Sequence, residues 1–155
     1  MTIAPLDARD SVSIDGRNGD HAQSPPMRVL VVDDNRDLAE GLGMLLEHLG
    51  AEVRLAFDGS AALEEFDRSR PALVLLDIGM PKMDGYEVAR AIRQRPYGAH
   101  AVLIALTGSG MDEDIKRAED AGFDRHLTKP VSMRSIETLL GSVAFRRSQG
   151  PAETT

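Results

Sequence analysis

Two hydrophobic patterns alternate along this chain. One is short and nearly continuous: Arg28-Val29-Leu30-Val31-Val32, Val53-Arg54-Leu55-Ala56, Leu73-Val74-Leu75-Leu76-Asp77 and Ala101-Val102-Leu103-Ile104-Ala105-Leu106. Unbroken runs of Val, Leu and Ile predict strands buried on both faces. Asp124-Arg125-His126-Leu127 is a weaker fifth strand. The other pattern is periodic. Leu38, Leu42, Leu45, Leu46 and Leu49 recur at helical spacing, as do Leu63 with Phe66 and Val88, Ala89 with Ile92. Met111, Ile115 and Ala118 predict a fourth helix, and Met133, Ile136, Leu139, Leu140 and Val143 a fifth.

Turn and cap residues set the boundaries. Asn35 is placed to cap the first helix and Gly50 to stop it. Asp58-Gly59-Ser60 opens the second helix, and Asp84 caps the third, which must end before Pro96. Gly122 stops the fourth and Ser132 caps the fifth, whose C-terminal dipole Arg146-Arg147 complements. Strand and helix alternate five times, which predicts an α/β fold with a parallel sheet covered on both faces and right-handed crossovers. Gly41 and Gly43 lie inside the first helix, where each costs about 1 kcal/mol relative to Ala. Close packing explains them, and a partner pressing on the helix is the sharper alternative.

Composition narrows the function. The chain has 155 residues, a formal net charge of -7 and a pI near 5.0, which argues against a general nucleic-acid binder. It has no Cys, so disulfides and thiolate metal sites are excluded. His21, His48, His100 and His126 show no zinc-ligand spacing. No apolar stretch approaches the roughly 20 residues of a membrane span, and no signal pattern opens the chain. The expectation is a cytoplasmic protein with one domain over residues 27–145. Residues 1–26 are expected to form a disordered tail and residues 146–155 a short C-terminal tail.

The candidate chemistry sits where strands end. The first strand ends in Asp33 and Asp34, the third in Asp77, the fourth in Thr107 and the fifth in Lys129. Parallel strands bring all these ends to one edge, where open α/β sheets bind ligands. Each residue alone also reads as a turn former, and Asp77 as a simple strand cap. Together they are harder to dismiss. Carboxylates about 4 Å apart repel by about 4 kcal/mol at an effective dielectric of 20. Lys129 supplies one counter-charge, and an oxygen-only site that keeps some waters suits Mg²⁺. A carboxylate beside Mg²⁺ and Lys can attack phosphorus to form an acyl phosphate, and Thr107 can donate its hydroxyl to a phosphoryl oxygen.

Val31-Val32-Asp33-Asp34-Asn35, Leu76-Asp77-Ile78-Gly79-Met80-Pro81-Lys82-Met83-Asp84-Gly85, Ala105-Leu106-Thr107-Gly108 and Thr128-Lys129-Pro130 together resemble the receiver domain of two-component response regulators. The resemblance covers roughly residues 27–145, with the four motifs in the family's order. It implies a flavodoxin-like (βα)5 three-layer sandwich with strand order 2-1-3-4-5. It implies that Asp77 accepts a phosphoryl group from a phosphohistidine donor, a histidine kinase or histidine phosphotransfer protein. It further implies direct Mg²⁺ ligation by Asp34, Asp77 and the Gly79 carbonyl, with Asp33 acting through a metal-bound water. Thr107 and Lys129 would hold the phosphoryl oxygens, and the bond before Pro130 would be cis. By the same resemblance the protein is a phosphorylation-dependent switch, not an enzyme acting on a separate substrate. A downstream protein would read the surface of the fourth helix, fifth strand and fifth helix, since no DNA-binding output domain is expected in this sequence. The motif wording is nearer to receivers associated with hybrid histidine kinases than to those of DNA-binding regulators.

Two positions depart from the family's commonest pattern. His126 stands where Tyr or Phe usually serves with the threonine as a rotamer switch. Gly79 and Ser109 are both small at positions that influence how water reaches the acyl phosphate. An open site and an acyl phosphate without steric cover are expected. Three rivals remain at this point. An aspartate-nucleophile phosphatase needs its two acids two residues apart, and here Asp33 and Asp34 are adjacent. A flavin-binding module needs a Ser/Thr/Gly-rich phosphate loop where this chain has carboxylates. A phosphorylation-independent interaction domain has no use for the complete acid, hydroxyl and lysine set.

Overall fold

The computed structural model describes residues 25–108 and 112–149. The expected N-terminal tail as far as Ser24, together with Ser109, Gly110, Met111 and residues 150–155, lies outside the described residues. Five strands alternate with five helices. They are β1 (Arg28–Val32), α1 (Arg36–His48), β2 (Glu52–Ala56), α2 (Gly59–Ser69), β3 (Leu73–Asp77), α3 (Gly85–Arg93), β4 (Val102–Thr107), α4 (Asp112–Ala121), β5 (Arg125–Thr128) and α5 (Met133–Gln149). All pairings are parallel, in the order β2-β1-β3-β4-β5. The flavodoxin-like (βα)5 fold is thus observed.

The unbroken apolar strands do what their pattern predicts. Alternate residues of one strand feed two separate cores. Leu30, Val32, Val74, Leu76, Leu103 and Ala105 pack under α2, α3 and α4 with Phe66, Val88 and Ile92. Val29, Val31, Leu73, Leu75, Ile104 and Leu106 pack under α1 and α5 with Leu46, Ile136 and Val143. All five residues of β3 are buried, so its terminal Asp77 is carried to the sheet's edge by a strand with no solvent-facing side.

The caps fall as expected. Asn35 accepts from Leu38 N, Asp58 from Ala61 N and Ser132 Oγ from Ser135 N. Asp84 forms a complete capping box with Glu87. Gly50 and Gly122 adopt φ of +97° and +107°, the left-handed values that end α1 and α4 at little cost.

Four local expectations are corrected. The buried stripe of α1 is Ala39, Gly43 and Leu46, and Leu38 is 50% exposed. At Gly43 the helix comes close to the sheet: a Cβ there would stand 3.1 Å from Leu55 Cδ2. Met133, the first residue of α5, is 46% exposed, and the buried apolar face of that helix begins at Ile136. Close packing explains Gly43 but not Gly41, which is exposed and where an added Cβ would meet nothing within 4 Å. The fifth helix runs on to Gln149, so residues 146–149 are helix where a tail was expected.

Candidate functional site

β1, β3 and β4 end side by side because they share one register along the sheet. Asp33 follows β1 directly, and its N–H donates to Ala56 O at 3.1 Å. Asp33 is 3% exposed and Asp77 7%, whereas Asp34 faces solvent. One carboxylate oxygen from each of Asp33, Asp34 and Asp77 lies within 4.8 Å of the others. Lys129 reaches into this group, its Nζ 3.0 Å from Asp33 Oδ2 and 3.4 Å from Asp77 Oδ1. It is held there by backbone: Lys129 N–H donates to Thr107 O at 2.7 Å, and the Lys129–Pro130 bond is cis, as expected.

The turn after β3 is shaped around the acceptor candidate. Gly79 N–H donates to Asp77 Oδ1 at 3.0 Å. A Cβ on Gly79 would stand 3.7 Å from that same oxygen, so a larger side chain there would lie beside the carboxylate. Gly85 allows α3 to begin against the strand end, since a Cβ there would stand 2.5 Å from the Asp77 carbonyl oxygen. The Met-Asp-Gly wording of this segment is thus a packing requirement as well as a cap.

The electrostatics are unbalanced. Burial pushes the Asp77 carboxyl above its ordinary value; the Gly79 amide opposes this, the Asp33 charge adds to it, and Lys129 opposes it again. For Lys129, burial works against the charged form. The two carboxylates outweigh burial and hold the ammonium above its usual range. Three acids share one cation, and their donor set is oxygen only. That is the chemistry of a hard divalent ion such as Mg²⁺, so the residues fit the ion expected from the sequence.

Thr107 is 1% exposed, and its Oγ1 is buried without a hydrogen-bond partner among the described residues. Buried hydroxyls are normally satisfied. This one belongs to the residue whose carbonyl accepts the Lys129 N–H. His126 pairs with Ala105 across β4 and β5, which puts it on the same sheet face as Thr107. It is half-buried, in a cleft of about 330 Å³ lined also by Ile115, Ala118, Glu119 and Phe123.

Every candidate side chain named from the sequence except Ser109 is among the described residues. Asp33, Asp34, Asp77 and Lys129 meet in one group, with Thr107 and Gly79 at its margin. Sequence reasoning missed two residues of α3, the helix that starts against the Asp77 carbonyl. Tyr86, in the first turn of α3, has a buried hydroxyl without a partner. Arg93, in its last turn, bonds the carbonyls of Gly98, Ala99, Ala101 and Gly122 and the Asp124 carboxylate. Neither carries a motif in the sequence: nothing there distinguishes Tyr86 from an ordinary aromatic or Arg93 from an ordinary basic residue near a helix C-terminus.

Residues 29–140 match the sequence model of the response regulator receiver domain. The chain is similar to a probable histidine kinase 2 of rice, 38% identical in an alignment 126 residues long that covers 71% of this chain but 12% of the kinase. It is 36% identical to response regulator MprA of a Mycobacterium strain over 128 residues, 81% of this chain and 55% of that protein. It thus spans about half or less of the length of these relatives. Among solved structures, the Vibrio cholerae chemotaxis protein CheY4 superposes with a TM-score of 0.74 at 27% identity, covering 77% of this chain and 99% of that one. No helix among the described residues is long and apolar enough to cross a membrane. The fold, the acid–lysine–hydroxyl edge and the match over residues 29–140 agree: the chain belongs to the response regulator receiver domain family.

Proposed function

We propose that this domain is a phosphoacceptor in a two-component phosphorelay and that Asp77 is the acceptor. The observation that carries the reading is the buried, unpartnered Thr107 hydroxyl at the same edge as the Asp77–Lys129 pair. An Asp77 oxygen attacks the phosphorus of a phosphohistidine, forming the acyl P–O bond as the P–N bond breaks. The departing imidazole keeps the bonding electron pair and takes up a proton. Lys129 and the Thr107 hydroxyl bond the transferred phosphoryl oxygens, and the Gly79 N–H orients the attacking carboxylate. Asp33, Asp34, Asp77 and the Gly79 carbonyl would hold Mg²⁺, with Asp33 acting through water. The ion supplies positive charge where the phosphoryl group gains negative charge.

The donor is a histidine kinase or histidine phosphotransfer protein. A cleft of about 420 Å³ supports its approach along α1: Leu38, Leu42, Leu45, Pro130 and Val131 line it, and it opens onto Asp33 and Lys129. Gly41, left unexplained by internal packing, gives a partner's backbone close access to the same helix. On phosphorylation Thr107 moves toward the new anion, His126 follows into the space it leaves, and a downstream protein reads the α4, β5 and α5 surface. This is a local charge event biasing a two-state element.

Incubation with Mg²⁺ and acetyl phosphate, followed by intact mass, tests the reading. The expected result is a gain of one phosphoryl group that Asp77→Asn abolishes. No gain with any small donor or kinase would remove it.

A further inference from the structure

The middle of α4 covers a tyrosine whose hydroxyl has no partner among the described residues. Tyr86, the second residue of α3, is 4% exposed. Its hydroxyl is fully buried and has no partner among the described residues. Arg117 covers the ring, its guanidinium carbon 4.2 Å from the centroid. Asp114 stands one turn earlier on α4. Burial pushes the phenol's pKa up first, and the Asp114 charge pushes it further, so that carboxylate is within electrostatic reach. Asp84, the other nearby acid, already accepts from Glu87 N–H in its capping box. Native proteins leave few buried hydroxyls unbonded, and each one raises the free energy of the conformation that strands it.

The far end of α4 is tied down. Arg93 Nε donates to Gly122 O at 2.9 Å, and its guanidinium pairs with Asp124 Oδ2 at 2.9 Å. That same oxygen accepts Leu103 N–H, fixing the start of β5 to β4. Below, α3 is seated on the acceptor itself through Gly85 and the Asp77 carbonyl. So α4 is clamped at its C-terminal end, covers the Tyr86 ring through Arg117 at its middle, and reaches Asp77 through the helix that carries that ring. Packed elements of this kind move between discrete positions rather than deforming continuously.

We propose that Tyr86 is a positioning residue of the switch: with Asp77 phosphorylated, α4 tilts about its Arg93-clamped end and the Tyr86 O–H donates to the Asp114 carboxylate, holding α4 in its signalling position. The proposal rests on the phosphoacceptor reading of Asp77. It adds a route from Asp77 through Gly85 and Tyr86 to α4, independent of Thr107 and His126. A ligand or modification shifts such an equilibrium only through a contact made in one state and absent in the other, and the Tyr86–Asp114 bond is that contact.

The test uses the full chain labelled with carbon-13 at tyrosine Cζ, in Mg²⁺, before and after adding beryllofluoride as an acyl-phosphate mimic. The chain has two tyrosines, and Tyr86→Phe assigns the signals. Tyr97 already donates to Asp67 Oδ1 and is the internal reference for a bonded phenol. Tyr86 is expected to start away from the Tyr97 position and move toward it on addition. In Asp114→Ala it stays where it began, although bound fluoride is still seen by fluorine-19. Three results overturn the proposal: an unmoved Tyr86 signal with fluoride bound, an equal movement in Asp114→Ala, or a Tyr86 signal in the bonded position from the start, which would mean that a buried water already satisfies it. No bound fluoride in the wild-type protein instead brings down the phosphoacceptor reading, and the proposal with it.

Discussion

The two ends of the parallel sheet treat polar groups in opposite ways. At the carboxyl ends of the strands, three carboxylates share one ammonium, and a buried threonine hydroxyl has no partner. At the amino ends the polar groups are tightly bonded. Arg93 bonds four backbone carbonyls and Asp124. Asp67 accepts from Arg95 and from the Tyr97 hydroxyl, while Arg70 lies 4.1 Å from the centroid of the Tyr97 ring and Phe66 stacks beside it. The amino end holds elements together in the resting protein. The carboxyl end is left short of positive charge and of one hydrogen bond, so that what binds there changes the balance. Functional edges are where folds depart from full local satisfaction.

The contrast is broken most directly by removing the amino-end hub. Arg93→Ala strips partners from carbonyls on two loop segments and leaves Asp124 with its cation gone. A loss of about 3 kcal/mol of stability is expected, because several groups become unsatisfied at once, and urea unfolding reads it. Arg93→Lys should recover less than half, since one ammonium cannot reproduce the planar fork. A loss below about 1 kcal/mol would mean that the hub is dispensable and the two ends are less different than their bonding indicates.

The opposite edge should answer with the opposite sign. Asp77 is buried beside Asp33 and is harder to ionise than an ordinary aspartate. In metal-free buffer, Asp77→Asn should therefore gain roughly 1 kcal/mol in urea unfolding, because it removes a charge the fold does not favour. Adding Mg²⁺ should stabilise the wild type and close the gap, by linkage to the folded state. A variant less stable than the wild type without metal would contradict the view of this edge as undercompensated.

Much of this contrast is legible in the sequence, and unevenly so. The carboxyl edge could be read because parallel strands end together: once Val and Leu runs mark strands, Asp33, Asp77, Thr107 and Lys129 are neighbours by topology alone. The amino end could not. Arg93 bonds loop carbonyls at Gly98, Ala99, Ala101 and Gly122, and their positions exist only after the helices dock. Periodicity likewise marks which residues are apolar but not where a helix meets the sheet. That is why Leu38 and Met133 turned outward while Ala39 and Gly43 became the contact. Tyr86 was not singled out at all, because no local pattern says whether a buried hydroxyl will have a partner within reach.

A smaller effect sharpens the picture of the carboxyl edge as open. Gly79 is exposed, and a Cβ there lies in ordinary contact range of Asp77 Oδ1. Gly79→Arg places a long side chain over the acceptor, and loss of the phosphoryl group to water should slow by roughly threefold or more through steric exclusion. Decay of the acyl phosphate in wild type and variant, followed by intact mass, measures it. Unchanged decay would show that water reaches the phosphorus by another side.

The smallest expected effect belongs to the amino end. Hydrogen bonds from Arg95 and then Tyr97 hold the Asp67 carboxyl below its ordinary value of 3.8. A depressed carboxylate contributes stability that is present above the unfolded-state pKa and is lost as pH falls through the folded one. The contribution is therefore complete at neutral pH and disappears in acid, below 3.8. Asp67 is 44% exposed, so solvent screening limits the effect to about 0.5 kcal/mol. Asp67→Asn should thus be slightly less stable than the wild type at neutral pH, and the difference should vanish in strong acid. Salt should shrink it as well, since the Arg95 pair is open to water. A deficit that persists unchanged into acid would assign the role of Asp67 to the geometry of its hydrogen bonds with Tyr97 and Arg95 rather than to its charge. The amino end would then be held by shape alone, and the electrical asymmetry between the two ends would rest entirely on the carboxyl side.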